Sequence, residues 1–518
     1  MKNSTLALIA LTLAAVGCKS MDEQLPNPNA ATSDSAVPPA LLLPRIEYDL
    51  YNNGDGGPFT QVHRWNQYIT SNDVYYGGSN QYNWTTSGGI YGVLRNVNLM
   101  DAKAVQQYGT RQNPYSALAK FFRAYIFVWQ AQRVGDTPAA QAGQGLTNLT
   151  PTYDSQKAVY ARSLAMLDSA NTLLGGSLTG TYSGSIYYSS LSQWRKAINS
   201  YRLRVLISLS KRAADNADLQ IPQQFATIVG NPSQYPLLTS NSDNWSFSFN
   251  SAYNTYPHTP NDANNQRQNI GSAYLGLTTA TQDPRTFVTS TPAPAQLAAG
   301  KTVSDFSAYV GSSPALGISD LTTNSSAGQY SFTNALRYYS SVAGPEAYTI
   351  LGYAEQNFNI AEAINRGWVS GASAGDYYLR GINASLDFYG LSEGQRLTIG
   401  NVSGATLGTV TVSRSTFLAN AGVAYKGNTT DGLEQIINQK YVAFFQNSGY
   451  EALYNWRRTG YPRTFVSTGG GLNASSRIPR RWQYPVDEQT YNPDNYQSAL
   501  KNQFGGTDDL NQDTWLTK

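Results

Sequence analysis

The sequence predicts a mainly α fold, and three observations carry that reading. Apolar residues recur at three- and four-residue spacing over most of the chain. The segments that show this spacing come in pairs joined by short polar turns. Stretches with strand-like alternation are few and short. In 114–133, Tyr115, Leu118, Phe122 and Tyr125 fall at helical spacing, and 156–174 repeats the pattern with Tyr160, Leu164, Leu167 and Leu174. Beyond a candidate cap at Ser192, Trp194, Ile198, Tyr201, Val205 and Leu209 form a long apolar stripe. Leu351, Ala354, Phe358 and Ala361 mark a further helix in 351–367. The small-residue linker 371–375 leads to Asp376, read as the cap of a helix bearing Leu379, Ile382, Leu386 and Tyr389. Asp431 is read the same way ahead of Leu433, Ile436, Ile437, Phe444 and Phe445. Paired amphipathic helices that cannot bury both faces alone stack on neighbouring pairs. No 34-residue repeat shows as sequence identity, so tetratricopeptide-like packing here would be degenerate.

Two stretches interrupt the helical pattern within one domain spanning 40–518. Residues 219–332 are rich in Asn, Ser, Thr, Pro and Gly with scattered aromatics, and a smaller insert occupies 391–426. The smaller one contains the alternating 406–412, enough for one or two strands. Irregular stretches of such length are functional or disordered, and the aromatics argue for order.

The N-terminus has a separate logic. Lys2, the apolar run 6–16 and Gly17 precede Cys18, the single cysteine of the chain. Residues 1–17 therefore read as a secretory signal peptide, too short for a membrane span. Ala15-Val16-Gly17-Cys18 resembles a bacterial lipobox, which implies cleavage before Cys18 and acylation of that residue. Several acyl chains, at about 0.8 kcal/mol per buried methylene, anchor a protein durably. Residues 18–39 are polar and Pro- and Asn-rich, an extended tether. Met21-Asp22-Glu23 resembles the surface-export signal of lipoproteins in Bacteroidetes-type bacteria, placing the chain on the outer membrane facing the exterior.

Composition excludes several function classes. The formal charge is only +3 with no block of Lys or Arg, so nucleic acid is a poor partner. The two histidines, His63 and His258, have no metal ligand at suitable spacing, and neither a metal nor a cofactor is expected. The Gly-x-Ser-x-Gly spacing occurs at 371–375 and 390–394, in linkers and beside neither histidine. Glu355 and Glu362 share a helix face and are read as solvated or capping groups rather than a glycosidase pair. The 37 Tyr and 9 Trp suit sugar faces and helical cores alike.

Several segments together resemble the SusD/RagB-like (starch-utilisation-system D-type) outer-membrane lipoproteins. Arg123-Ala124-Tyr125 runs into Gly135-Asp136-Thr137-Pro138. The sequence from Ala361 to Gly367 is followed by Tyr377-Tyr378 and Gly381-Ile382-Asn383-Ala384-Ser385. Gln439-Lys440-Tyr441, Glu451-Ala452 and Trp456-Arg457-Arg458-Thr459-Gly460-Tyr461-Pro462 form the longest match. Ile478-Pro479-Arg480-Arg481, Tyr484-Pro485, Asn492 and Tyr496 complete it. The resemblance implies tetratricopeptide-like helix pairs as scaffold and a loop-rich portion carrying the ligand site. It also implies a non-catalytic glycan-binding role beside a SusC-like TonB-dependent transporter, to which the lipoprotein hands its ligand as a lid. Some relatives take oligopeptides; a surface glycosidase or an adhesin is the rival outside the family. Trp456-Arg457-Arg458 is read as architectural, a helix end whose guanidinium groups meet carboxylates, carbonyls and rings.

Sugar binding needs flat rings against pyranose C–H groups and polar groups for the hydroxyls. Residues 71–84 offer that mixture in Asn72, Asp73, Tyr75, Tyr76, Tyr82 and Trp84, spaced by Gly77-Gly78. The family resemblance also places ligand contacts in this N-terminal loop region. A second cluster holds Trp245, Tyr253 and Tyr256 with Phe247 and Phe249. There the alternation fits equally a strand facing the core.

Overall fold

The computed structural model describes residues 37–54, 57–73, 80–85, 88–260, 263–468 and 477–518. Residues 1–36, with Cys18, the signal peptide and most of the tether, lie outside the described residues. Among those described there are 19 α-helices and three two-stranded antiparallel ribbons. The fold is mainly α, as the periodicity predicts. The principal helices are α1 (Pro39–Asn53), α2 (Gly92–Tyr108), α3 (Pro114–Val134), α4 (Gln156–Gly175), α5 (Leu191–Ser208) and α6 (Ile221–Gly230). They continue as α7 (Ile318–Ser326), α8 (Tyr353–Asn365), α9 (Ala374–Phe388), α10 (Thr430–Ala443) and α11 (Glu451–Thr459). The strands are β1 (Ile69–Ser71), β2 (Trp245–Phe247), β3 (Gln268–Ile270), β4 (Tyr348–Leu351), β5 (Arg396–Gly400) and β6 (Thr406–Thr411).

Helix boundaries follow hydroxyl caps. The Ser190 side chain accepts from Gln193 N, so the cap of α5 lies two residues before the expected Ser192. Ser373 and Thr429 cap α9 and α10, accepting from Asp376 N and Gly432 N. Asp376 and Asp431, expected as the caps, sit in the first turns instead. A short hydroxyl side chain just outside the helix reaches the free amides, while a carboxylate within the first turn favours the positive dipole end.

Sequential helices pack in register: α1 on α2, α2 on α3, α3 on α4 and α4 on α5, with α8 then packing on α5, α9 and α10. The largest core runs through α1–α6 and α8 and includes Phe121, Tyr125, Trp194 and Tyr201. A second core joins the N-terminal loops to the C-terminal third, through Trp65, Tyr68, Trp84, Tyr441, Phe445 and Trp482. A third, with Phe358, Tyr378, Ile382, Phe417 and Ile436, lies under β5–β6 and the α8–α9 pair.

Charge is buried between these layers in closed pairs. Arg204 of α5 donates to both carboxylate oxygens of Glu355, and Arg458 of α11 does the same to Glu362. Glu355 and Glu362 are therefore buried ion-pair partners rather than solvated groups. Lys440 Nζ donates to Asn359 Oδ1 at 2.6 Å and to Asn455 Oδ1 at 3.2 Å. Arg457 donates to the carbonyls of Gln132 and Arg480, both at 2.7 Å, and lies over the Tyr454 ring. The Trp456-Arg457-Arg458 segment thus ties α11 to α3 and α8.

The long stretch 219–332 is less irregular than its composition predicts. It contains α6, α7 and short helices at Ser272–Ala280, Arg285–Thr289 and Pro294–Ala298. Buried Ile221, Phe225 and Ile228 fall at helical spacing on α6, but over only ten residues set among polar ones. The smaller insert forms the β5–β6 hairpin, with Arg396 opposite Thr411 and Leu397 opposite Val410.

Candidate ligand-binding cleft

The β1–β3 ribbon brings the N-terminal loop beside the long insert. Ser71 pairs with Gln268 and Thr70 with Asn269, and Asn72 N donates to the Arg267 carbonyl at 3.0 Å, extending the ladder by one residue. Gly271 permits the close crossing, because a Cβ there would collide with the Gln67 carbonyl oxygen. At the end of this ribbon α7 closes a cleft of about 590 Å³. Its walls include Asn72, Asp73, Gln266, Arg267, Thr322 and Ser325, with Phe332 and Pro294 on the apolar side.

Asn72 organises the cleft from within. It is buried, and its amide nitrogen faces the Asn269 Oδ1 (2.7 Å), Ser325 Oγ (2.8 Å) and the Gln266 carbonyl (3.1 Å). The Thr322 hydroxyl donates to the Asn72 carbonyl at 2.6 Å, pinning α7 to the loop. On the open side, Arg267 Nε and Asp73 Oδ2 are 3.7 Å apart, with side chains 28% and 31% exposed. A pair this exposed contributes about 0–1 kcal/mol, so little is lost when a ligand reorganises it. The cleft therefore offers a guanidinium and a carboxylate on a floor fixed by amide and hydroxyl contacts.

The structure separates the residues expected at the site. Asn72 and Asp73 line the cleft; Tyr75 and Tyr76 lie outside the described residues. Tyr82 and Trp84 are buried, which removes their faces from ligand. Trp84 stacks on Trp482 at 4.0 Å and 6°, and its carbonyl accepts from Gln483 N at 2.8 Å. The Tyr82 hydroxyl accepts from Gln67 Nε2 at 2.7 Å. Trp245 is also fully buried, in β2, packed on Phe121 at 5.3 Å and Tyr125 at 5.4 Å. Tyr256 packs edge-on to Phe249 at 5.0 Å. Tyr253 is 90% exposed on a turn closed by Asn250 and Asn254, and it is not part of the cleft wall. The large planar rings went to the cores because burial of one such ring is worth several kcal/mol.

Sequence reasoning did not single out Gln266, Arg267, Thr322, Ser325 or Phe332. Arg267 alone carried a signal, as a charge within a long stretch that has few. The histidines take no part: both are buried, and burial pushes His63 down to about 3, so it is neutral at ordinary pH. Among the described residues no group of three or more His, Cys, Asp and Glu comes together to hold a metal. No described helix is long and apolar enough to cross a membrane.

Stacked helix pairs with a polar, ligand-sized cleft at the irregular edge define the class: a helical scaffold that presents a recognition surface. The chain belongs to the SusD-like family, for a family model described as starch-binding and associating with the outer membrane matches residues 28–485. A SusD homologue from Bacteroides fragilis NCTC 9343 superposes with a TM-score of 0.80 at 30% identity, covering 93% of this chain and 100% of its own. An outer membrane protein from Bacteroides vulgatus ATCC 8482, whose description concerns nutrient binding, gives 0.77 at 30% identity over 93% and 100%. A second Bacteroides fragilis SusD homologue gives 0.76 at 31% identity over 93% and 99%. A search of curated proteins finds no match.

Proposed function

We propose that this chain is a non-catalytic, lipid-anchored binding protein of the outer-membrane surface. It takes an oligosaccharide in the Asp73–Arg267 cleft and delivers it to a SusC-like TonB-dependent transporter. The observation that carries this reading is the cleft itself. A part-exposed carboxylate and guanidinium stand over an Asn72-centred floor, in a member of a family described as starch-binding. Sugar hydroxyls donate to carboxylates and accept from guanidinium N–H groups, so one charged pair serves both halves of a diol. The cleft volume lies within the roughly 300–1,000 Å³ range of small-ligand sites. Glu355 and Glu362, the carboxylates a glycosidase reading would use, are each committed to a buried arginine. Cys18, two residues behind the apolar run, supplies the anchor in this reading.

The test is a glycan-array and calorimetric screen of the chain from Lys19 onward, with hydrolysis products assayed in the same samples. Binding without turnover is expected. Arg267→Ala and Asp73→Ala should each weaken it by about 1.5–3 kcal/mol, the scale of a hydrogen bond to a charged group. Turnover, or peptide binding in place of every glycan, would overturn the reading. Co-purification of the lipidated chain with a TonB-dependent transporter from outer membranes checks the partner, and its absence from such complexes would remove the delivery step.

A further inference from the structure

Helix α1 opens the fold, and among the described residues one face of it stands in solvent. Leu41, Arg45 and Tyr48 fall at i, i+4 and i+7, so a single stripe of the helix carries all three outward. Leu41 is 68% exposed, Tyr48 42% and Ile186, bound to the same helix, 45%. Ile186 is held there because its amide donates to Glu47 Oε2 at 2.6 Å and the Tyr187 hydroxyl donates to the Glu47 carbonyl at 3.0 Å. Large apolar side chains grouped in water this way mark a contact surface.

Solvated charge is sparse around this face. Glu47 and Asp49 are buried, and Arg45 Nε donates to Asp49 Oδ2 at 2.8 Å, leaving the rest of the guanidinium in solvent. The flanking segments 169–194 and 244–260 contain no Asp, Glu, Lys or Arg. Gly184 of the first lies against the Ala40 carbonyl, and Phe247 of the second stacks on Tyr51 at 3.7 Å. Leu, Ile and Tyr with one solvated guanidinium match the edge of a bilayer. Apolar tips enter the acyl boundary, a Tyr ring straddles it and arginine meets phosphate.

The position of Cys18 sets which way this face turns. Twenty residues, 19–38, separate Cys18 from α1. A free coil of that length spans about 25 Å root mean square. An anchor at Cys18 thus keeps the Leu41 end within reach of lipid, and a contact made within one molecule needs little affinity of its own. The other exposed apolar cluster, Leu146, Leu149, Val486 and Tyr491, lies at the opposite end of α3. Tyr115, at the start of α3, donates to the Ser183 carbonyl beside α1, whereas Gln130, near its end, lines a pocket with Pro485 and Asp487. The 21 residues of α3 set these ends about 30 Å apart. The far cluster is also acidic: 134–156 and 482–500 hold no Lys or Arg but include Asp487, Glu488 and Asp494, so an anionic lipid surface repels it.

We propose that the Leu41–Arg45–Tyr48 face of α1, with Ile186, rests on the lipid surface into which the chain is anchored. The contact presupposes the acylated Cys18 and is independent of what the Asp73–Arg267 cleft binds.

The test is site-directed fluorescence on the full lipidated chain in vesicles of equal parts phosphatidylethanolamine and phosphatidylglycerol. Cys18 is the single natural cysteine and is blocked once acylated, so one introduced thiol takes all the label. Leu41→Cys and Ile186→Cys, labelled with the environment-sensitive dye NBD, should brighten about twofold or more on vesicles. A nitroxide carried on the lipid acyl chain should then quench them. Leu146→Cys and Val486→Cys, at least as exposed in water as Ile186, should show neither change. Arg45→Gln combined with Tyr48→Ser, both on the surface, should halve the response at 186 while the chain still floats with the vesicles and keeps its Tm. Flotation without brightening at 41 and 186 overturns the contact and leaves the anchor standing. Equal brightening at all four positions, or brightening that requires outer-membrane proteins in the bilayer, does the same. A parent chain that fails to float overturns anchor and contact together.

Discussion

Trp84 is the residue whose role changes most between sequence and structure. In the sequence it ends a Gly-spaced, Asn- and Tyr-rich loop and has the chemistry of a sugar platform. In the fold its face is used by Trp482 and its edge by Trp65 and Tyr82. Trp84→Ala should therefore cost about 3–5 kcal/mol of stability, read by denaturant unfolding. A stable variant with weakened sugar binding would contradict the burial. A ring prefers ligand or core according to what the rest of the chain brings to it, and that partner is almost 400 residues away in sequence. Asn72 and Asp73 were legible because their loop context is local. Arg267 was not, since only the β1–β3 register sets it against Asp73. Tyr253 shows the converse, a ring left exposed yet set apart from the cleft.

At the scale of elements, periodicity gave the helices and left their ends ambiguous. Asp376 and Ser373 are both capping residue types, three positions apart, and the side-chain hydrogen bond decides between them. Helices inside 219–332 were hidden because each has ten residues or fewer, too few turns for a period to stand out from the polar residues around it. The docking of α1 has a titratable lock. Glu47 accepts from Ser185 Oγ at 2.7 Å and from Ile186 N at 2.6 Å. Burial pushes its carboxyl up to about 8, against the opposing pull of those two bonds. A folded-state value above the unfolded one means the stabilisation is complete below the ordinary carboxylate range and is lost as pH rises through about 8. Glu47→Gln keeps a neutral group, so it should be closest to the parent in Tm at about pH 5 and gain on it as pH rises to about 8. A Tm difference independent of pH would show that Glu47 keeps an ordinary titration in the fold.

Across the whole molecule, buried ion pairs bridge segments that no local pattern links. Glu362 of α8 is fully buried; burial alone would raise its carboxyl, but Arg458 and Arg366 hold it at about 2. Its contribution is present above the ordinary carboxylate range and is lost as pH falls through about 2. Glu362→Gln should cost about 3–5 kcal/mol, measured by urea unfolding at neutral pH, because it strands buried Arg458. A loss under 1 kcal/mol would mean that water or another carboxylate reaches that arginine, on the scale of about an exposed pair. The shared segments around Ala361 and Trp456 were legible as architecture, and these pairs supply the physical reason. What remained unread was which surface they leave open, since a cleft is defined by the meeting of 72–73, 266–267 and α7.

The second core carries a consequence for how the chain comes into being. Trp65, Tyr68 and Trp84 are made early, yet their packing partners Tyr441, Phe445 and Trp482 emerge among the last. A polypeptide appearing from its N-terminus can stack α1 through α5 as it goes, but it cannot seat the loop that floors the cleft until its final tenth has arrived. Completion of the cleft is thereby a checkpoint on the chain itself: one cut short before Trp482 would keep much of its helical stack and lose the packing that orders the cleft floor.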